Sequence, residues 1–517
     1  MTKNYLNILA ETIRNNWDQP ALTDFYLTED GTAQDTSRGN HYTYGEMYME
    51  ICRVAELITS LGLQNGDHIA ICGANSAHWV IAYLAIAKMQ GVSVTVMHTL
   101  MPDEIARLID FSDAKALFTD EDLWSELKSQ PMSQVGNVIG LKNWQILRGE
   151  NLQISNLHGS ADRQKSQISN SDCGFPSSSP DDLAQICFTS GTSGNSKGVI
   201  LSYKNISVTT ECVGIAYPPH RNKKILSYFP LAHAFGLGLE IVVPITRGCN
   251  IFLYRGELRA ESLLRSIRYV RPYLSVMVPA MVEKIADAGT LKLLLFKLLG
   301  IEYIVVGGSG LSKDAGEKMK RFRIPIAPGY GMTETVALIS LIIPSAYKVG
   351  TSGKICDALS CRISPAGEIL VKGENVMLGY YKDPEATAAK IDADGWLHTG
   401  DKGHLDEDGY LYVEGRLEQD IIVLPNGENI RPDHIEALIN ALPEVSESIV
   451  LARDGHLVAI VVPSSPLALG EGTGVRLSIL RAINPRLPLF SQLYDVEITD
   501  QPLARTEKQT IKRYLYS

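Results

Sequence analysis

The chain has 517 residues, 45% of them hydrophobic, and a net charge of −10. That is too long for a single hydrophobic core and ordinary for a globular protein. No long basic run or stripe interrupts the sequence, which excludes the electrostatic footprint of a nucleic-acid-binding protein. The eight cysteines include no Cys-x-x-Cys pair and no Cys/His cluster at zinc spacing, so reduced thiols in a cytoplasmic protein are expected.

Met1-Thr-Lys-Asn-Tyr5 lacks the apolar run of a signal peptide. The most membrane-like stretch is Trp79–Lys88, well short of the roughly 20 apolar residues a transmembrane helix needs. It reads as a buried helix feeding a strand at Val92–Val96. From 40 to 145, helical periodicity alternates with short β-branched runs such as His68–Cys72 and Ala116–Thr119, the pattern of α/β layering. Residues 156–182 are polar and aperiodic, hence a surface loop. Strands are predicted at Ala184–Phe188 and Val199–Tyr203.

Between 225 and 331 the strand-then-helix rhythm is clearest. Strands are predicted at Ile225–Phe229, Tyr273–Val278, Ile301–Val306 and Ile324–Ala327. Helices begin after Pro230, at Pro279, and at Ser312 as an N-cap for a helix to Arg321. Parallel strands joined by right-handed crossovers place their carboxyl-end loops on one edge, where ligands bind. His233, Pro279, Gly307–Gly310 and Tyr330–Glu334 are therefore expected to converge. After 350 the texture turns antiparallel, with strands around a turn between Trp396 and Tyr412. A boundary near 417 separates a large domain, 1–417, from a small one, 418–517. The latter is expected to hold a strand Asp420–Leu424, an Asn426-Gly427 turn, a helix Pro432–Leu442 and a hairpin turning at Asp454-Gly455. The fold class is α/β: a large domain with mixed and parallel sheets plus a small antiparallel region, and a small α+β C-terminal domain.

The strongest chemical signal is Thr189-Ser-Gly-Thr-Ser-Gly-Asn-Ser-Lys-Gly198. Hydroxyls and glycines followed by Lys197 make a loop able to aim N–H groups and a cation at phosphate oxygens. It is not a Walker A loop, because Ser196 and Gly198 break that pattern and both flanks look like strands.

The segment resembles the phosphate-binding loop of the adenylate-forming superfamily, which includes acyl-CoA synthetases, peptide-synthetase adenylation domains and beetle luciferases. Six further segments match in the family's order: Pro230–Gly236, Gly307–Ser312, Gly329–Thr335, Gly373–Tyr381, Trp396–Asp401 and Gly415-Arg416. The match covers essentially the whole chain. The resemblance implies ATP, Mg²⁺ and coenzyme A as partners in a reaction that forms an acyl-adenylate and passes the acyl group to a thiol. It assigns ATP phosphates to Thr189, Ser190, Gly191, Thr192, Ser193, Gly194 and Lys197, and the metal to Glu334 with Thr189. Gly308, Ser309, Gly329, Tyr330, Gly331, Met332 and Thr333 would cradle adenine and the acyl-adenylate, Tyr330 stacking on the base. Asp401, read as lying in a tight loop, would accept from the ribose hydroxyls, with Arg416 as a second contact. His233 would lie beside the carboxylate and acyl pocket. In this family the small domain is mobile and rotates between the two steps, and Glu418 stands at its hinge.

The C-terminus departs from the family. Aligned on Ile511-Lys-Arg513, Thr510 stands where the family has its catalytic lysine. One lost charge donor typically costs about 3 kcal/mol of transition-state stabilisation. In an extended segment Lys508, Thr510 and Lys512 share a face, and same-face neighbours lie about 7 Å apart. Lys508 can therefore substitute; the alternative is an impaired first step, or a protein that only binds ATP or an acyl-adenylate.

Between Leu226 and Ala260 there is no aspartate to meet a substrate ammonium. Phe235–Ile245 is mainly apolar, and Gly308-Ser-Gly310 leaves room for a long chain. Leu487-Pro-Leu-Phe490 with Ile511-Lys-Arg513 is similar to long-chain fatty acyl-CoA synthetases. A fatty acid as substrate is expected, with coenzyme A as acceptor and a carrier-protein phosphopantetheine as the alternative. No nucleic acid or transmembrane segment is expected, and the sequence sets no oligomeric state.

Overall fold

Short β-branched runs separated by helices assemble, in this computed structural model, into two eight-stranded sheets. The structure describes residues 3–27, 33–34, 40–149, 169–189, 196–218, 220–256, 260–308, 310–417, 422–425, 428–464, 472–504 and 515–516. Compactness divides the chain into two units. The first runs to Gly415 apart from two short stretches, and the second is built chiefly of Arg416–Ser517. The division falls two residues before the boundary read from the sequence.

In the first sheet the strands lie in the order Gly379–Tyr380, Lys197–Ser202, Leu183–Thr189, Val92–Thr95, His68–Cys72, Ala116–Thr119, Asn137–Gly140 and Ile146–Arg148. Its central strands are parallel, whereas Leu183–Thr189 and Lys197–Ser202 form an antiparallel hairpin in which Thr189 faces Lys197. In the second sheet Ile326–Pro328, Tyr303–Val306, Leu274–Met277, Lys224–Ser227, Asn250–Tyr254 and Pro20–Leu27 are parallel neighbours. The helix Ala77–Lys88 packs on strands of both sheets. That explains why it is apolar all round, with Trp79, Val80, Ile81 and Ala82 fully buried. Its start is fixed twice: Ser76 Oγ accepts from the N–H of Trp79 at 3.1 Å, and Asp24 Oδ1 from that of Ala77 at 2.7 Å.

The predicted strands of the second sheet are present but shorter. Ile225–Phe229 is observed as Lys224–Ser227, because Tyr228 and Phe229 turn their N–H groups away from the ladder to a side chain described below. The predicted strand Val199–Tyr203 starts earlier, at Lys197, and ends at Ser202, which caps the helix Tyr203–Ala216. The helix after Ser312 runs over Lys313–Arg321, although the Ser312 side chain makes no cap hydrogen bond.

The antiparallel part is a four-stranded sheet of Leu359–Ile363, Glu368–Gly373, Leu397–Leu405 and Leu411–Arg416. In the second unit Val445–Arg453, His456–Pro463 and Leu493–Ile498 form a three-stranded sheet. Its hairpin turns at Asp454 (φ 49°) and Gly455 (φ 79°), the pair of left-handed residues a two-residue turn requires. The helices Pro432–Asn440 and Gly472–Ile483 pack on it through Ile435, Ile439, Ile479 and Ile483. The first of them stops two residues short of the predicted Leu442. The Asn426-Gly427 turn and residues 156–168 of the segment 156–182 lie outside the described residues; within the rest, Asn170–Asp172 forms a single 3₁₀ turn.

Candidate active site

The parallel strands of the second sheet deliver their carboxyl-end loops to one edge, as the topology requires. Lys224–Ser227 leads to His233, Tyr303–Val306 to Gly307 and Gly308, and Ile326–Pro328 to the loop Gly329–Glu334. The Phe235 ring sits against Gly307, where an added Cβ would lie 2.8 Å from it. Gly308 has φ 100°, a conformation that favours glycine.

In the loop Gly329–Glu334, Tyr330 pairs with Ser340 through N–H···O contacts of 3.0 and 2.9 Å. Between them the backbone passes so close that a Cβ on Gly331 would lie 2.2 Å from the Ala337 carbonyl. Thr333–Thr335 forms a single 3₁₀ turn, which places Glu334 facing back toward the first sheet's edge strand.

There the Tyr380 hydroxyl donates to Glu334 Oε1 at 2.7 Å, and Lys197 Nζ lies 4.9 Å from the centre of the Tyr380 ring. Burial and the adjacent carboxylate push the Tyr380 phenol far above its ordinary range, so it remains a donor. Glu334 is 7% exposed, and its Oε2 has no partner among the described residues. The hairpin pairs Thr189 with Lys197. Thus Thr189, Lys197 and Glu334, nearly 150 positions apart in sequence, are brought to one place. Tyr380 links them, and sequence reasoning quoted it only as part of a motif.

The second pair is Tyr330 and Asp401, whose side chains meet through a hydrogen bond of 2.6 Å from the Tyr330 hydroxyl to Asp401 Oδ2. Asp401 is not in a tight loop. It lies within the strand Leu397–Leu405, where Gly400, at φ 78°, bends the chain. Thr399 Oγ1 accepts from the Asp401 N–H at 3.1 Å, within an irregularity of the ladder where Glu368 pairs with Lys402 and Leu370 with His398. Arg416 ends the neighbouring strand Leu411–Arg416. Met332 and Thr333 lie in the same loop as Tyr330.

His233 caps the short helix Ala234–Gly236, its Nδ1 accepting from the N–H of Phe235 at 3.3 Å. The ring is therefore protonated on Nε2. Surrounding protein lowers its pKa by desolvation even though part of the residue stays open to solvent.

Sequence reasoning missed Glu240. It stands in a wide helical turn, Leu237–Val242, in an otherwise apolar stretch, and is fully buried. Its Oε2 accepts from Ser227 Oγ at 3.2 Å and from the N–H groups of Tyr228 and Phe229 at 3.0 and 3.1 Å. Burial raises its pKa to about 8, so the group is largely neutral at pH 7. A lone carboxylate in an apolar run just after a strand was the available signal.

Ser190, Gly191, Thr192, Ser193, Gly194, Ser309, Glu418, Lys508 and Thr510 lie outside the described residues. Among the described residues no group of three or more His, Cys, Asp or Glu could hold a metal ion by itself. Glu334 nevertheless fits a nucleotide-borne Mg²⁺, which usually takes one or two protein carboxylates and fills its other positions with phosphate and water. No helix among the described residues is long and apolar enough to cross a membrane.

A ligand edge on mixed α/β sheets, followed by a small α+β unit, is the architecture of adenylate-forming enzymes. Residues 9–381 match the family described as AMP-binding enzyme and residues 419–516 its C-terminal domain, so the chain belongs to the AMP-binding enzyme family. It is 30% identical over 437 residues to a 2-succinylbenzoate–CoA ligase of Bacillus licheniformis, covering 81% of this chain and 83% of the relative. It is 28% identical over 458 residues to 4-coumarate–CoA ligase 3 of Arabidopsis thaliana, covering 83% of this chain and 79% of the relative. The solved amide bond synthetase McbA of Marinactinospora thermotolerans shares the fold, with a TM-score of 0.78, 98% of each chain covered and 21% identity.

Two predictions follow from the packing. Gly331→Ala forces a methyl into the Ala337 carbonyl; a loss of about 1–3 kcal/mol in urea unfolding is expected, together with loss of ATP binding by calorimetry. Because the native pKa of Glu240 exceeds its unfolded value, folded protein binds a proton that unfolded protein has released. Its contribution therefore falls as pH rises from about 4.5 toward about 8. Glu240→Gln should remove that fall, so that the stability of the variant relative to wild type increases across this range in urea titrations.

Proposed function

We propose that the protein activates a carboxylic acid with ATP, forming an acyl-adenylate and pyrophosphate, and then transfers the acyl group to the thiol of coenzyme A. The observation that carries this reading is the chain Lys197–Tyr380–Glu334 on the loop whose other end holds the Tyr330–Asp401 pair. One end of the loop presents a cation and a carboxylate with one oxygen unpartnered among the described residues, suited to a metal-bearing polyphosphate. The other presents an aromatic ring and a buried carboxylate, suited to a base and its ribose. The named relatives are CoA ligases, which supports coenzyme A over a carrier protein. Eight unpaired cysteines suit a reducing, cytoplasmic setting.

In the first step the substrate carboxylate attacks the α-phosphate in line and pyrophosphate leaves. An anion approaches a polyanion, so Lys197 and the N–H groups of the hydroxyl-rich loop would offset the charge that builds up. Mg²⁺, when bound at Glu334, would supply further charge neutralisation on the phosphates. Asp401 and Tyr330 would hold the nucleoside so that the α-phosphate faces the acid. The small C-terminal domain from about 418 would then rotate, and a thiolate would attack the acyl carbonyl and expel AMP.

The acid we propose is apolar, with fatty acids foremost. Between Ser227 and Ile245 the only carboxylate is Glu240, and it is buried, largely neutral and engaged by the strand end. No anion is left there to meet a substrate ammonium. Pyrophosphate release should therefore be at least about 100-fold faster with fatty acids than with amino acids. Aromatic acids such as 4-coumarate and 2-succinylbenzoate form the third arm of the panel. Glu334→Gln should lower the rate with the best acid by about 10²–10³. Absence of release with every acid overturns the reading, and a product formed only on a carrier protein overturns the acceptor.

Lys508 is proposed as the cation that replaces the family's lysine. Lys508→Ala is expected to reduce pyrophosphate exchange by about 10²-fold or more, and Thr510→Lys to restore it. Unchanged exchange in Lys508→Ala overturns that role.

A further inference from the structure

Directly after Glu334 the chain does something costly. Val336 and Ala337 take φ of 50° and 60°, the left-handed region that non-glycine residues avoid and β-branched valine avoids most. This pair of residues lets the backbone double back, so that Ala337 N–H reaches the Met332 carbonyl at 2.9 Å and Leu338 N–H the Thr335 carbonyl at 3.1 Å. Such a conformation persists only where its surroundings over-determine it.

The side chain that does so is Asn375, which is fully buried. Its amide nitrogen donates to the Thr335 carbonyl at 3.0 Å and the Leu338 carbonyl at 2.7 Å, spanning the two left-handed residues. Its Oδ1 is buried with no partner among the described residues. An unpaired buried amide oxygen is a cost, and it marks the two N–H donors as the reason for an amide here.

Asn375 is itself held by a second asparagine. Asn205, buried in the first turn of the helix Tyr203–Ala216, donates from Nδ2 to the carbonyls of Glu374 and Val376 at 2.8 and 2.9 Å. Asn205 is locked in turn by a reciprocal cap with Ser202, the last residue of the strand that begins at Lys197. Two residues beyond Asn375, Met377 N–H donates to the Glu334 carbonyl at 2.8 Å.

We propose that Asn375 is a positioning residue for Glu334: with Asn205 behind it, its amide fixes the left-handed turn and so aims the Glu334 carboxylate at a divalent cation carried by the nucleotide. This rests on the functional reading above. Both asparagines are buried, so they would act through the backbone they hold and not by contact with a ligand. Their effect is to tie the aim of the Glu334 carboxylate to the strand that carries Lys197.

Asn375→Asp keeps the shape and turns both donors into acceptors facing two carbonyls. We expect it to raise the Mg²⁺ concentration for half-maximal pyrophosphate exchange by about 10-fold and to lower the maximal rate by about 30-fold or more at about pH 8, while AMP affinity by calorimetry changes by less than about 2-fold. As pH falls toward about 6 the new carboxyl takes a proton and regains one donor, so the Mg²⁺ requirement should recover part of the way. Asn375→Leu should show the defect without the recovery. Amide hydrogen exchange of the peptide 332–339 should quicken in both variants.

An unchanged Mg²⁺ requirement with unchanged amide exchange overturns the proposal, as does a parallel loss of AMP and Mg²⁺–ATP binding, which a merely structural plug would give. If Asn375→Asp does not fold, Asn205→Ala is measured the same way, and a rise in Mg²⁺ requirement without loss of AMP affinity is the expected result. Wild-type protein that exchanges pyrophosphate with no acid defeats the functional reading alone. Mg²⁺-dependent ATP binding and amide exchange then decide the role of Asn375.

Discussion

The hydrogen bond from Tyr380 to Glu334 joins the two halves of the candidate site. Tyr380 belongs to a short edge strand of the first sheet, paired with the strand that begins at Lys197. Glu334 belongs to a loop at the carboxyl edge of the second sheet. A carboxylate and a lysine could meet directly in an ion pair, but such a pair would satisfy both and leave little charge for a ligand. An aromatic ring between them solves this differently. The phenol takes one carboxylate oxygen, the ring face attracts the ammonium, and the second carboxylate oxygen keeps its capacity for a cation. Both charges thus stay close together without neutralising each other.

The segment Gly373–Tyr381 makes that arrangement possible by binding on both sides. Leu378 and Tyr381 donate to the carbonyls of Ile200 and Gly198 in one sheet, while Met377 donates to the carbonyl of Glu334 in the other region. Gly198 is tightly surrounded, since an added Cβ would lie 3.1 Å from Ile186 and 3.2 Å from Tyr381. The lysine after the hydroxyl-rich loop is therefore followed by a glycine in close packing, where a larger residue would need Ile186 and Tyr381 to shift by a few tenths of an ångström.

Much of this was legible in the sequence. The alternation of β-branched runs and helices between 225 and 331 located the parallel strands, because strand and helix periods differ and crossovers force the loops to one edge. Periodicity cannot say where a strand stops when a distant side chain takes its last N–H groups. Ile225–Phe229 was for that reason read too long: Glu240, a dozen positions on, captures Tyr228 and Phe229. The setting of Asp401 was misread for a related reason. Its glycine neighbour suggests a tight loop, yet Gly400 bends a strand that continues to Leu405. The roles of Asn375 and Asn205 were not readable at all, since both act on carbonyls brought near only by tertiary structure.

Glu240 shows how an apolar pocket region can contain a carboxylic acid without becoming acidic. Three donors converge on one oxygen, which alone would favour the ionised form. Complete burial opposes it, and burial wins because the second oxygen has no partner among the described residues. The result is a mostly neutral group at physiological pH that still terminates a strand and fixes the direction of the chain toward His233. In the proposed function the same stretch would stay uncharged toward an acyl group while its backbone is held by hydrogen bonds. An aspartate or glutamate that faced the ligand instead would need an ammonium to pair with. The hydrogen-bonding pattern of Glu240, rather than its residue type, is what separates the two kinds of acid.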